Sequence, residues 1–497
     1  MNFFKDLGQG IKNVFKGPAE KGNLYTLDNR APIGRAIPFG IQHVLAMFAG
    51  NIAPIIIVLA AIGLNNTNFA TYSILGALFM AGLGTIIQLL IGSRLPVVAG
   101  TSFAFVPILC AIGIDAGGGE AAYYTILGSI LVGGVFAIVF SLLYRFWGRL
   151  VKPIVPAIVI LGVGLSLVSS GANSFFGGET VIQSVITTGE TSTGVPYFCY
   201  IIVALVTIIT ALIWPLFFKG VWKNINIIVA IAVGFIVSCC IPGMVDFASM
   251  AIDTNELVGA HGIFDFPHFI DITKLRFELV PCLLTGTCFI VTIIEGIGNT
   301  TAVAKAGLER EPTKREIMGA ITADGINATI GAFFGALPLT TFSENVGIVA
   351  QTKVINRSTI FVGALFLILA GLFPPIANFI LAIPDVVIGG TMVVLFGTIV
   401  VIGMKTISEI GWSDKNIIIT AVSVCVGFGI TVATVSTGLG IAKSVSLFDG
   451  LGVGWLGDLL SSCVLNMFII AFILSWVLPE DMHISRFHRK NKTDKAE

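Results

Sequence analysis

Between residues 340 and 353 the chain reads Thr-Thr-Phe-Ser-Glu-Asn-Val-Gly-Ile-Val-Ala-Gln-Thr-Lys, which puts Glu344 and Asn345 inside an apolar, membrane-length region. A carboxylate at bilayer depth costs at least ~2.5 kcal/mol on insertion scales, so such groups face a cavity, a partner or a translocated substrate. The apolar stretch around residues 293–299 carries a second acid, Glu295, in Ile-Ile-Glu-Gly-Ile-Gly-Asn. Two intramembrane carboxylates can accept N–H groups from a polar solute and can carry protons. Together they mark a site.

The elements that must position these acids follow from composition. The hydrophobic fraction is 55%, the charged fraction 11% and the mean hydropathy +0.96, against roughly 25% charged residues in soluble domains. This is the composition of an all-α polytopic membrane protein. A hydrocarbon core of ~30 Å needs ~20 apolar residues per helix. Stretches of that kind fall at 38–64, 70–92, 96–113, 122–144, 153–169, 198–218, 225–241, 278–305, 316–335, 342–354, 360–382, 386–404, 416–435 and 459–477, of which 96–113 and 342–354 are short. Residues 1–35 are amphipathic and carry Lys5, Lys12, Lys16, Lys21, Arg30 and Arg35. They lack the apolar core and small-residue cleavage site of a signal peptide, which predicts a retained cytoplasmic tail.

Basic residues alternate with the segments. Arg94, then Arg145, Arg149 and Lys152, then Lys219 and Lys223, then Lys305, Arg310, Lys314 and Arg315 fall in every second connection, and the C-terminal tail holds Arg486, Arg489, Lys490, Lys492 and Lys495. The intervening connections are nearly free of base: 115–120 and 171–194 have none, and 242–276 has only Lys274 and Arg276. The positive-inside rule then puts both termini in the cytoplasm of a multi-pass protein, with an even number of crossings. An even count near fourteen divides into two halves of seven, and an odd number per half inverts one half against the other. A local echo agrees: Gly100-Thr101-Ser102-Phe103-Ala104 in the third segment matches Leu339-Thr340-Thr341-Phe342-Ser343 at the tenth, each after a proline, Pro96 or Pro338. Paired short, Gly/Pro-interrupted segments point to a transporter's central site, where helix N-termini present free N–H groups.

Glu344-Asn345-Val346-Gly347-Ile348-Val349-Ala350-Gln351-Thr352-Lys353 resembles the signature of the nucleobase/ascorbate transporter family, the uracil and xanthine permeases: an acid, Gln or Pro, then Asn, one free residue, Gly, four free residues, Thr, and a basic residue or Gly. Similar features follow in order along the chain: Gln42-His43, Gly100 to Phe105, Glu295-Gly296-Ile297-Gly298 and Asp324. The resemblance implies a fourteen-segment fold of two inverted repeats, with two half-helices preceded by short extended strands. It further implies a core domain (36–150 and 277–383) that slides against a gate domain (151–276 and 384–480), cytoplasmic tails at 1–35 and 481–497, and a homodimer in the plasma membrane.

What the resemblance implies for the site can be set beside the chemistry. Uracil, xanthine and urate present N–H donors flanked by carbonyls, so a site needs carboxylates to accept and backbone N–H groups to donate. The substrate-contact set is Glu295, Glu344, Phe103, Ala104, Ser343 and Gly50, with Phe103 offering a ring for stacking. Asn345 either caps the short helix or contacts the base, with capping favoured. His43 is a structural histidine or a proton-linked partner of the glutamates. Asp324 orients neighbouring helices through hydrogen bonds. Lys353, with Thr352, complements a helix C-terminus, and the family adds an influence on selectivity at this end of the signature.

One position departs from the pattern. Four residues after Glu295, xanthine-type members carry Asp and uracil-type members often His, whereas this chain has Asn299. Glu344 leans toward uracil-like members, while Asn299-Thr300-Thr301-Ala302-Val303 with Ala306-Gly307 and the 497-residue length look like the purine branch. The expectation is proton-coupled symport of xanthine or urate, with a uracil:proton symporter as alternative. No cluster specifies a sodium site.

Other classes fit less well. A channel needs a polar lining along its pore, and no HExxH, Ser/Lys or Asp/Asp pattern suggests an enzyme, a metal or a cofactor. An anion exchanger of the same architecture would bring its substrate against two acids. The eight cysteines show no metal-ligand or redox spacing, and a net charge of zero gives no sign of nucleic acid as a partner.

Overall fold

In the computed structural model, residue 14 and residues 19–64, 67–191, 194–219, 221–245, 264–342, 344–435 and 462–479 are described. In a bilayer every backbone N–H and C=O must be satisfied within the protein, which makes helices the default for apolar runs of this length. The chain begins with α1 (Ile33–Ala61) and α2 (Asn68–Leu90), then β1 (Ala99–Thr101), a 3₁₀ turn (Phe103–Phe105) and α3 (Val106–Asp115). It continues through α4 (Gly119–Leu142), α5 (Ile154–Ser166), α6 (Val168–Phe175), α7 (Glu179–Thr188), α8 (Tyr197–Phe217) and α9 (Asn226–Cys239). The second half holds α10 (Leu279–Leu308), α11 (Lys314–Phe333), β2 (Leu339–Thr341), α12 (Glu344–Thr352), α13 (Arg357–Gly371), α14 (Pro374–Leu381), α15 (Asp385–Ile410), α16 (Asp414–Val435) and α17 (Cys463–Val477).

Seven helical runs among the described residues are long and apolar enough to cross a membrane, or eight if the α13–α14 pair, bent by 76°, forms one span. That bend falls at Phe373-Pro374-Pro375, where the prolines open a new helix and cannot continue the old one. Three shorter apolar helices, Phe103–Asp115, Asn226–Cys239 and Cys463–Val477, complete the apolar set. The expected all-α membrane architecture is therefore present. One detail differs from the sequence reading. Residues 171–194, expected as a connection, contain the end of α6 and all of α7, too short to span and bounded by Gly178 and Gly189 at positive φ. The N- and C-terminal tail residues 1–13, 15–18 and 480–497 lie outside the described residues.

Small residues set how closely the helices pack, as they do where lipid supplies no hydrophobic drive. A Cβ on Gly40 of α1 would stand 2.7 Å from the Thr359 carbonyl and 2.8 Å from the Gly363 nitrogen of α13. Residues 20–31 lie along the start of α13. Ile355 N–H donates to Leu24 O at 3.1 Å, and Asn356 Nδ2 donates to Asn23 O at 2.8 Å and Asn29 O at 2.9 Å. The buried Arg357 guanidinium pairs with Asp28.

The two strands meet in the middle of the fold. They pair antiparallel, with Ala99 opposite Thr341, Gly100 opposite Thr340 and Thr101 opposite Leu339. The ladder extends through Ser102 N–H to Pro338 O and Phe342 N–H to Val98 O, both 2.9 Å. Each strand leads into a short helical element, and the antiparallel pairing makes those elements leave the ribbon from opposite ends.

Candidate functional site

A two-stranded ribbon is a hazard inside a membrane, because both outer edges present unpaired backbone groups. Side chains from the surrounding helices close them. Thr85 Oγ1 of α2 accepts from Ala99 N–H at 3.0 Å, and Asn51 Oδ1 of α1 accepts from both Thr101 N–H at 2.8 Å and Thr101 Oγ1 at 3.1 Å. On the other edge Asn299 Nδ2 of α10 donates to the Thr341 carbonyl at 2.8 Å. The ribbon is thus held rigidly between helices of both halves.

Next to it lies a small polar cavity of about 20 Å³, lined by Thr101, Ser102, Phe103, Val163, Glu295, Thr340, Thr341, Phe342 and Ile399. Glu295 reaches it from α10 and is 8% exposed. The first N–H groups of a helix have no partner within it, and Ser102 at the start of the 3₁₀ turn makes no side-chain cap to them. Glu295 and the start of the turn therefore line the same cavity. Val163 of α5 and Ile399 of α15 close the opposite, apolar side, and the Phe103 ring meets Phe396 of α15 edge-on, with centroids 5.2 Å apart at 84°. A larger void of about 390 Å³ opens between α1, α9, α14 and α15, but Thr391 is the one polar side chain in its wall. It offers a polar solute almost nothing to bond.

The structure brings some of the sequence-derived residues together and not others. Glu295 and Phe103 share the cavity. Ala104 is buried in the turn, where its carbonyl accepts from Cys288 Sγ at 3.4 Å. Gly50 does not line the cavity. It lets α1 pass the Phe342 ring, whose Cε1 would lie 2.9 Å from a Cβ placed there. Ser343 lies outside the described residues, as does the Glu344 side chain, while the Glu344 backbone starts α12.

Around this centre the remaining residues tie elements to one another. Asn345 Nδ2 lies 3.0 Å from His43 Nδ1 and 3.3 Å from the His43 carbonyl, so it braces α12 against α1. With Asn345 donating, a neutral His43 accepts at Nδ1 and carries its proton on Nε2. Gln88 Nε2 of α2 donates to Asp324 Oδ1 and to the Ala320 carbonyl of α11, both at 2.8 Å. Thr352 Oγ1 donates to Ile348 O at 2.8 Å, and Lys353, at φ 56°, donates from Nζ to Ala306 O of α10 at 2.8 Å. The far end of α12 is thereby fastened to α10 as well.

Sequence reasoning missed the helpers and the opposite wall. Asn51, Thr85 and Gln88 are polar residues in apolar helices, which is a signal in itself. Val163, Phe396 and Ile399 gave none, because apolar residues in apolar helices are silent.

A family of xanthine and uracil permeases, described as a permease family, matches residues 34–436. The chain belongs to this family. Among its relatives, the xanthine permease XanQ of Escherichia coli (strain K12) is 30% identical over 419 residues, covering 82% of this chain and 86% of the relative. The xanthine permease of Bacillus subtilis (strain 168) is 30% identical over 448 residues, covering 88% and 95%. The uric acid permease PucJ of the same organism is 30% identical over 407 residues, covering 80% and 85%. The transmembrane domain of a cyanobacterium bicarbonate transporter, BicA, shares the fold with a TM-score of 0.54 at 14% identity, over 89% of this chain and 97% of that one. A murine Solute Carrier 26 family member A9 anion transporter in the inward-facing state gives 0.52 at 14% identity, over 78% and 65%. This permease is a multi-pass membrane transport protein and not an enzyme.

Proposed function

We propose that this permease imports an oxidised purine, xanthine or urate, by proton-coupled symport. The observation that carries the reading is the convergence of Glu295, the start of the Phe103 turn and the Phe103 ring on one small polar cavity. A carboxylate accepts the N–H groups of a base, backbone N–H groups donate to its carbonyls, and the aromatic ring stacks on its flat face. Similarity to xanthine and uric acid permeases supports the purine class. The bicarbonate and Solute Carrier 26 likenesses bear on fold alone.

Transport needs the polar side of the site to move relative to the apolar side. In our reading residues 36–150 and 277–383 form the core, and 151–276 and 384–480 the gate, within fourteen segments of two inverted repeats. Both short helices, the ribbon and Glu295 then belong to the core, while Val163, Phe396 and Ile399 belong to the gate. Sliding one against the other exposes the site to each face in turn. Loading a proton together with a neutral base neutralises a carboxylate before the core moves, and each uncompensated charge is worth ~2.3 kcal/mol per 100 mV. Both termini face the cytoplasm, and the protein acts in the cell membrane as a homodimer.

The test is competition of labelled xanthine uptake by unlabelled urate, uracil, guanine and hypoxanthine. Xanthine and urate should compete at the lowest concentrations. Competition by uracil alone would replace the purine reading with the uracil one.

A further inference from the structure

On the outer edge of β2 the Thr341 carbonyl is held by a side chain described above. Asn299 is 2% exposed, and its amide donates to the carbonyl of Thr341, the last residue of the strand. Three residues later α12 begins. This bond therefore fixes where α10, which carries Glu295, stands relative to the strand that launches α12.

We propose that Asn299 is a positioning residue for transport: it holds the Thr341 carbonyl with a donor whose hydrogen is always present, so the geometry of the crossing does not depend on protonation at this position. An acid could make the same bond only while protonated. Once ionised it is an acceptor facing an acceptor at a position that is 2% exposed. Of the charged and titratable residues on α10 and α11, Glu295 lies one turn back on α10 and Asp324 is buried on α11, while Lys305, Lys314, Arg315 and Glu316 sit toward the helix ends, the three cations exposed. Asp324 is close, with Oδ2 only 3.2 Å from where a Cβ on the neighbouring Gly296 would lie. The other packed elements, α3, α4, α5, α17 and β2, bring Asp115 and Glu120 at helix ends and otherwise only thiols and phenols: Cys110, Cys463, Tyr123 and Tyr124. Cys288 adds a thiol on α10 itself. No cation stands ready to pair an extra carboxylate among these described neighbours. This chain thus holds the Thr341 carbonyl with an amide, which has no proton to give up.

The inference rests on the permease reading above, and the experiment separates the two. Asn299→Asp and Asn299→Leu are compared with the parent for uptake against pH in vesicles and for melting temperature against pH in the purified protein. Asn299→Asp should work near pH 5.5 and lose roughly tenfold or more of its uptake by about pH 8, the direction in which a buried acid gives up its proton. Its melting temperature should fall over the same interval relative to the parent. Asn299→Leu, with no donor, should be impaired at every pH. If Asn299→Asp fails to accumulate in cells at neutral pH, recovery in acidic culture supports the inference and no recovery overturns it. Parental uptake by Asn299→Leu, or superimposable pH profiles for parent and Asn299→Asp, would also overturn it. A parent that takes up no base defeats the substrate reading alone, and the melting comparison still decides this one.

Discussion

Truncating Phe103 to alanine should weaken base binding by less than stacking alone suggests. A base stacked on an aromatic side chain is worth ~1–3 kcal/mol by alanine substitution. In this structure the Phe103 ring is engaged edge-on to Phe396, with centroids 5.2 Å apart. Such a contact is worth ~0.5–1.5 kcal/mol beyond area burial. The cavity beside it is about 20 Å³, little more than the ~10–15 Å³ that one water requires. A purine needs more room than this, and movement of α15 with its Phe396 would supply it. Phe103→Ala deletes both the stack and the contact that binding must break. From the middle of each range the net loss is about 1 kcal/mol, roughly five-fold in affinity. Phe396→Ala deletes only the opposing contact and should tighten binding by a similar factor, while Phe103→Tyr should stay near the parent. Titration calorimetry on the purified variants reads this directly, and the double variant completes a coupling cycle. Weaker binding by Phe396→Ala would refute the claim that its contact opposes entry of the base. Unchanged binding by Phe103→Ala would mean that the ring faces no substrate.

Four further outcomes are expected. Glu295→Gln should abolish transport with expression and melting near normal, and saturable uptake by that variant would remove Glu295 from the site; Glu344→Gln should alter selectivity or pH dependence, as measured by the competition panel. Uptake should rise as external pH falls, collapse with a protonophore and ignore replacement of sodium by choline, whereas a sodium requirement would overturn the coupling and leave the substrate standing. Asn51→Ala should cost ~1–3 kcal/mol for the Thr101 N–H alone, because a buried donor loses its acceptor. Asn51→Asp retains an acceptor and should melt closer to the parent, and equal melting temperatures for Asn51→Ala and the parent would show the ribbon edge to be satisfied in another way.

Much of this molecule was legible before its structure. Long apolar runs have one stable solution in a bilayer, so the stretch 122–144 appears as Gly119–Leu142 and 198–218 as Tyr197–Phe217. The short stretch 96–113 was readable as unusual from Pro96 and its small residues, and it resolves into a strand, a 3₁₀ turn and a helix. The pairing of Ala99 with Thr341 was not readable, because register between segments roughly 240 residues apart depends on partners such as Asn51 and Asn299, which no local pattern encodes. The acids stood out because charge is costly at that depth. The apolar wall of Val163, Phe396 and Ile399 did not, since its residues match the composition of the helices that carry them. Gly50 is a related case: glycine marks close approach, but the sequence does not say to what, and in this structure it packs against the Phe342 ring.

The central claim is that this chain moves a purine base through the site built around Glu295. Purified protein in proteoliposomes preloaded with unlabelled xanthine tests it most directly, by counterflow of labelled xanthine from outside. The account predicts a transient accumulation that saturates, is inhibited by urate, and is absent from Glu295→Gln vesicles. Equal accumulation in Glu295→Gln vesicles, or none in the parent with any of the bases, would contradict it.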